Sequence, residues 1–260
     1  MATWTSLREH SLTRENLEAL LNNEIPAIRI KGFATPEECI AFTQSAKRGN
    51  IKYYNVAKRI GYIGMAQYEY RWDRPKSDYF DAVKVANADL AEVTARAFDP
   101  VQRLIDMLSS VYDHKVGAAQ EPGMGHYFAG IIRLASEGVD LHADYAPFNT
   151  PDYSIRDIDA QLGWNFFSEQ PKFGGITTVH NAPWTPEHVE GEIPKSYGLS
   201  HDIVTGAPAF EYSPTAGDVV IFNTRNPHEI SAGIPEPGVD RVSIGSFIGR
   251  MPDRSLAMWA

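Results

Sequence analysis

The second half of this chain breaks into short β-branched and aromatic runs separated by Gly, Pro and Asn. Candidate strands fall at 126–135, 140–144, 160–168, 176–180, 209–212, 218–223, 228–231 and 239–249. Eight short strands with turn signals between them predict a sandwich or jelly roll. The first half carries a different period. Leu17, Leu20 and Leu21 recur at helical spacing over 13–22, and 27–30 reads as a short, mostly apolar strand. Thr35, Pro36 and Glu38 then supply an N-cap, a first-turn proline and a capping box for a helix to about Lys47. Further helices are expected over 78–98 and, after the Asp99-Pro100 start signal, to about Tyr112. The expectation is a mainly β chain with N-terminal helices in one domain, 1–260. Its helical layer would lie mainly in 1–120 and its jelly-roll core mainly in 121–250.

Composition narrows the functions open to such a fold. The 260 residues carry a net charge of −9, a poor basis for neutralising phosphates, so neither nucleic acid nor an anionic membrane surface is an expected partner. No apolar run is long enough to span a membrane. The first ten residues lack the apolar core of a secretory signal. The single cysteine, Cys39, excludes an internal disulfide and a cysteine-built zinc site. It falls in a predicted helix, where a small packing role is expected. Low cysteine use fits a cytoplasmic location.

Chemistry concentrates in three places. His142 and Asp144 flank Ala143, and residues i and i+2 of an extended chain share a side. His228 lies downstream of the strand Asp218-Val-Val-Ile-Phe222. Two imidazoles and one carboxylate can take one face of an octahedral metal and leave the other open, the ligand set of non-haem Fe(II) oxygenases. Arg241 and Ser243 share one face of a further β-like run, and a guanidinium beside a hydroxyl suits a carboxylate. Arg133, in the strand before His142, is either part of that site or a surface ion pair.

Together, His142-x-Asp144, the distal His228 and Arg241-x-Ser243 resemble the Fe(II)/2-oxoglutarate-dependent oxygenases. Within these, the chain is similar to the small-molecule branch of N-succinyl amino-acid hydroxylases and hapalindole- and welwitindolinone-type halogenases. Segments 25–33, Met65-Ala-Gln-Tyr68, Asp78-Tyr-Phe80, Ile131-Ile-Arg133-Leu, Gln161-Leu, Phe173-Gly-Gly175 and Ile244-Gly-Ser-Phe-Ile248 extend the likeness over most of the chain. The resemblance implies a double-stranded β-helix, cupin-like, with Fe(II) held by His142, Asp144 and His228. It further implies 2-oxoglutarate chelated to the iron and held by Arg241 and Ser243, and O2 as second cosubstrate. Succinate and CO2 would be released as a small-molecule C–H bond is oxidised. The branch's halogenases have a small residue where the carboxylate would be, leaving a place for chloride. Asp144 therefore implies hydroxylation or a related oxidation such as desaturation.

Residues 50–80 hold Tyr53, Tyr54, Tyr62, Tyr68, Tyr70, Trp72 and Tyr79, which read either as a substrate lid or as an aromatic satellite core. Lys58, Arg59 and Arg71 could there meet an anionic group, or be solvated surface charge. His126, His180, His188 and His201 read as surface or hydrogen-bonded histidines, with a substrate contact open to His180, and Asp157 and Asp159 as a solvated turn. If Gln161 faces inward, so do Gly163 and Asn165, with Trp164 opposite. Gly163 would then leave space near the metal, or mark a bulge. Competing functions are a non-oxidative metal-binding jelly roll (a hydrolase or cupin-like binding protein) and a peptide hydroxylase.

Overall fold

The computed structural model describes residues 4–54, 60–71, 74–135, 137–187 and 194–260. Its N-terminal elements are α1 (Arg14–Leu21), β1 (Ala27–Ile30), α2 (Pro36–Lys47), β2 (Lys52–Tyr53), β3 (Gly61–Ile63), α3 (Lys76–Thr94) and α4 (Pro100–Val111). The remaining strands used below are β4 (Ile131–Leu134), β5 (Val139–His142), β6 (Ala160–Glu169), β7 (Thr177–His180), β8 (Ala209–Tyr212), β9 (Val219–Asn223), β10 (His228–Ile230), β11 (Val242–Arg250) and β12 (Leu256–Trp259).

The strands form two principal sheets. The large one runs β1–β9–β6–β11–β4–β3–β2, with Glu9–His10 beyond β1 and β12 attached to β11. The small one runs β8–β7–β10–β5. The chain is thus mainly β with a helical layer, in the jelly-roll class expected from the strand pattern. The helix starts are those the capping chemistry dictates. Thr35 and Glu38 form a reciprocal capping box ahead of Pro36, and Asp99 accepts from the N–H groups of Val101 and Gln102. The third helix is shorter than expected, because its apolar face ends at Val93. The expected strand 126–135 is split: Gly125–His126 pairs with Gln120–Glu121, and Gly130, at a φ of 96°, turns the chain before β4 begins.

Burial explains the layering. The outer face of the large sheet, with Ile28, Ile30, Trp164, Phe166, Val219, Ile221 and Ile244, packs against Leu17, Leu20, Phe42, Val83, Leu90 and Leu104 of the helices. A second cluster draws on both sheets: Ala27, Phe167, Val220 and Phe222 from the large one, Val179, Phe210 and Tyr212 from the small one. Alternation along β6 does what the sequence requires. Trp164 turns outward, donating its indole N–H to Ser246 Oγ at 2.7 Å. Gln161 turns inward and accepts from the Ala146 N–H at 2.7 Å.

Segment 50–80 extends the large sheet through β2 and β3 rather than forming a separate unit. Tyr54 and Tyr79 belong to the main core, Tyr62, Tyr68 and Tyr70 pack against it, and Tyr53 is exposed, so the described aromatics do not form a separate satellite core. Trp72, Lys58, Arg59 and His188 lie outside the described residues. Cys39 is buried in α2 as expected, and burial pushes its thiol pKa up.

Candidate metal and carboxylate site

His142 closes β5 and His228 opens β10. These neighbouring strands place the two residues directly opposite one another, with ring centroids 4.0 Å apart and both side chains buried. In each ring Nδ1 lies against a backbone carbonyl, Asp140 O at 2.8 Å and Asn226 O at 2.9 Å. A carbonyl only accepts, so Nδ1 carries the hydrogen and each Nε2 presents a lone pair. Burial, and secondarily the neighbouring His142, push the His228 pKa well below its ordinary value and keep that lone pair free of a proton.

Asp144 arrives differently from the expected i, i+2 pleat. The strand stops at His142. Asp144 is instead held by Thr224: its N–H donates to the Thr224 carbonyl at 2.9 Å, and its own carbonyl accepts from the Thr224 hydroxyl at 3.1 Å. This clamp leaves Oδ2 at 3.7 Å from Nε2 of both histidines. One ligand atom from each of the three residues lies within 4.8 Å of the others. Two imidazoles and a carboxylate converging on one centre fit a divalent metal with oxygen- and nitrogen-tolerant coordination.

The space expected at Gly163 is filled. A Cβ there would meet Thr224 Cγ2 at 2.6 Å, so the glycine exists to admit the residue that clamps Asp144. The register irregularity of β6 falls at Phe167/Glu169, so Gly163 does not mark a bulge.

Arg241 precedes β11, and its backbone carbonyl accepts from the Ala135 N–H at 3.0 Å. The side chain is buried at 7% exposure, with Cζ 5.3 Å over the Phe167 ring. Its Nε has no hydrogen-bond partner among the described residues. Burial pulls its pKa down, Tyr212 opposes this, and the positive charge of Arg133 adds to it. Ser243, also buried, is the Cα partner of both Phe167 and Arg133, and Arg133 is half-buried opposite Tyr62. A buried cation with an orphaned donor asks for an anion, and a carboxylate satisfies the guanidinium fork and the hydroxyl together.

Three nearby residues were not singled out from the sequence. Thr224 is one. Gln170 is another: both its amide atoms are buried without partners, and a Cβ on Gly175 would lie 2.8 Å from Gln170 Nε2 and 3.7 Å from Arg241 Cδ. The third is Tyr197, whose ring stacks on His142 at 4.5 Å and 14°. Arg71 lies 5.7 Å over the Tyr68 ring. Burial lowers its pKa while Tyr197 and Asp144 oppose that shift, which sets Arg71 on this side of the molecule. Among the described residues, no further histidine joins the ligand cluster. His180 and His201 turn to Glu229 at 3.5 and 3.1 Å, and His126 is exposed. Asp159 pairs with Arg250 at 2.7 Å.

Against known proteins, the family described as carrier-protein-independent halogenase WelO5 matches residues 4–259. A leucinostatins biosynthesis cluster protein S from Purpureocillium lilacinum is 34% identical over 204 residues, 74% of this chain and 80% of the relative. An L-gamma-glutamyl-L-propargylglycine hydroxylase from Streptantibioticus cattleyicolor is 24% identical over 100% of this chain and 97% of its own length. Among solved structures, an N-substituted L-amino acid dioxygenase from Burkholderia ambifaria in complex with alpha-KG superposes with a TM-score of 0.62. It is 14% identical and covers 95% of this chain and 90% of its own.

Proposed function

The chain belongs to the carrier-protein-independent halogenase WelO5 family, and from that premise we propose that it is an Fe(II)- and 2-oxoglutarate-dependent oxygenase that hydroxylates an aliphatic C–H bond of a free small molecule. Substrates of amino-acid or amino-acid-derived type are the natural candidates, given the hydroxylase that matches the whole chain. The observation that carries hydroxylation over halogenation is Asp144. Its backbone is clamped by Thr224, and one carboxylate oxygen lies 3.7 Å from Nε2 of both histidines. A carboxylate in that position takes the place a halide needs and lowers the charge that would attract one.

His142, Asp144 and His228 would hold the iron, and Arg241 with Ser243 the distal carboxylate of the ketoacid, with Arg133 beside them. Iron bound there with ketoacid and O2 supplies a C–H oxidation coupled to decarboxylation of the ketoacid to succinate and CO2. The protein does the rest. The Asp140 and Asn226 carbonyls fix the histidine tautomers, and Thr224 holds the backbone that carries Asp144. Phe222 packs edge-on to His228 at 4.9 Å and walls the site with an apolar ring. A non-oxidative jelly roll has no use for Arg241, whose buried, unpaired Nε costs stability unless an anion meets it.

We read the two sheets as a double-stranded β-helix. In support, β4, β6, β9 and β11 lie in the large sheet while β5, β7, β8 and β10 form the small one. The helices and strands share one main core, which supports a single domain over 1–260.

The test is turnover of amino-acid-derived candidates with Fe(II) and 2-oxoglutarate in chloride buffer, read by mass spectrometry. Gain of one oxygen with stoichiometric succinate is expected. A chlorine isotope pattern from the unmodified protein would overturn hydroxylation, and ketoacid-independent chemistry would overturn the class.

A further inference from the structure

We propose that Tyr197 is a positioning residue that confines Asp144 to one-oxygen ligation of the metal and so keeps the whole open face of the site available to the ketoacid and O2. The inference rests on the oxygenase reading above and concerns a residue that neither the ligand motif nor the carboxylate motif contains.

The geometry divides the Asp144 carboxylate between two tasks. Oδ2 faces the histidines, 3.7 Å from each Nε2. Oδ1 faces away and accepts from the Tyr197 hydroxyl at 3.4 Å. A carboxylate whose second oxygen is engaged by a donor offers the metal one atom. Freed of that donor, it can swing to offer both, and the second takes a site from the open face. Three protein ligands leave three octahedral positions, two of which a chelating ketoacid needs. Bidentate Asp144 would take one of the three, which restricts where the ketoacid can chelate and leaves no position for O2 once it has.

The rest of Tyr197's environment shows that it is placed, not merely nearby. The chain at 196–199 runs antiparallel beside β5. Tyr197 is the bridge partner of His142, the Ala143 N–H donates to Ser196 O at 3.0 Å, and the Leu199 N–H donates to Leu141 O at 2.9 Å. These ties press the ring flat on the His142 imidazole, with planes 14° apart. The residue is 44% exposed, so these ties rather than enclosure in the core set its position. Stacking on one ligand and bonding another, Tyr197 couples His142 and Asp144 in a fixed relation. The hydroxyl–carboxylate distance is long for an O–H···O⁻ bond, and such contacts tighten when the site is loaded.

The experiment uses full-length protein carrying Tyr197→Phe, which keeps the stacked ring and removes only the hydroxyl. Metal affinity is measured by chelator competition. Ketoacid affinity is measured anaerobically on the Fe(II)-loaded protein from the charge-transfer absorption of the complex. Ligand number is followed in the Co(II)-substituted protein by its d–d spectrum. The expected result has three parts. Ketoacid binding weakens roughly three- to tenfold, the factor that losing one ordinary hydrogen bond makes in an equilibrium. Metal binding stays equal or tightens. The Co(II) spectrum without ketoacid moves toward higher coordination. Tyr197→Ala, which also unstacks His142, should weaken metal binding as well. Ketoacid affinity within twofold of wild type in Tyr197→Phe overturns the proposal, as does a parallel fall of metal affinity, ketoacid affinity and Tm, which would mark a merely structural role. Wild-type protein that binds neither metal nor ketoacid overturns the oxygenase reading itself, a failure distinct from the other two.

Discussion

Replacing Arg241 with Met should weaken the ketoacid and spare, or even raise, the stability of the free protein. Arg241 is buried, and its Nε has no partner among the described residues. An unsatisfied buried donor costs about 1–3 kcal/mol. The stacked Phe167, 5.3 Å from Cζ, returns up to about 2 kcal/mol of cation–π attraction. The balance lies between about 1 kcal/mol against and about 3 kcal/mol in favour of Arg241→Met, so Tm should fall by no more than about 4 °C and rise by up to about 10 °C. Toward the ketoacid the sign reverses. Loss of a charge-assisted contact to a desolvated carboxylate costs about 2–5 kcal/mol, which weakens binding at least ~30-fold. Thermal melts with a redox-inactive divalent metal separate the two effects. At a 2-oxoglutarate concentration 100 times the wild-type Kd, the ligand stabilises wild type by about 2.7 kcal/mol. At that concentration a ~30-fold weaker complex is stabilised by only about 0.9 kcal/mol, so the ligand-induced rise in Tm should fall to a third or less. An unchanged ligand-induced rise would refute the assignment. Loss of more than about 3 kcal/mol in the free protein would show that Arg241 is there for the fold.

Asp144→Gly should lose most hydroxylation, and product mass in chloride buffer would show whether the vacated position admits a halide; retention of full hydroxylation would remove Asp144 from the ligand set. Gly163→Ala forces a methyl to within 2.6 Å of Thr224 Cγ2 and so disturbs the clamp on Asp144. Metal affinity should drop about 10- to 100-fold, as for other residues that orient ligands, and chelator competition measures it. Glu38 is held at a pKa of about 2, chiefly by its hydrogen bonds from Arg103. Because the folded value lies below the ordinary 4.5, its contribution is complete above that pH and disappears as pH falls toward 2. The Tm gap between wild type and Glu38→Gln should therefore narrow as the pH is lowered from about 5 to about 3.

What the sequence disclosed was whatever local chemistry decides. Thr35, Pro36 and Glu38 act within one turn, so the start of α2 was legible to the residue. Alternation along β6 fixed which way Trp164 and Gln161 point. His142, Asp144 and His228 stood out because their side chains have little purely structural use in that combination. The legible part ended where partners are distant in the chain. Nothing near Asp144 announces that Thr224 will hold it, or that Gly163 is small for Thr224's sake. Tyr197 sits in a segment without strand periodicity, and only its pairing with β5 gives it meaning. The strands β2 and β3 escaped notice because two or three residues carry too few periods to read.

The strand that supplies His228 also has a consequence for the order in which this protein can be made. In the small sheet β10 lies between β7 and β5, both synthesised earlier, and it is the last of that sheet's four strands to leave the ribosome. Until it slots in, β5 and β7 face a gap, and His142 waits without its opposite ring. Ala260 then ties the Phe128 carbonyl and the Gln67 N–H together at 2.8 Å each. A nascent chain thus cannot assemble the three-ligand set before His228 is made, and a product terminated ahead of that residue carries two of the three ligands on a sheet that has not closed.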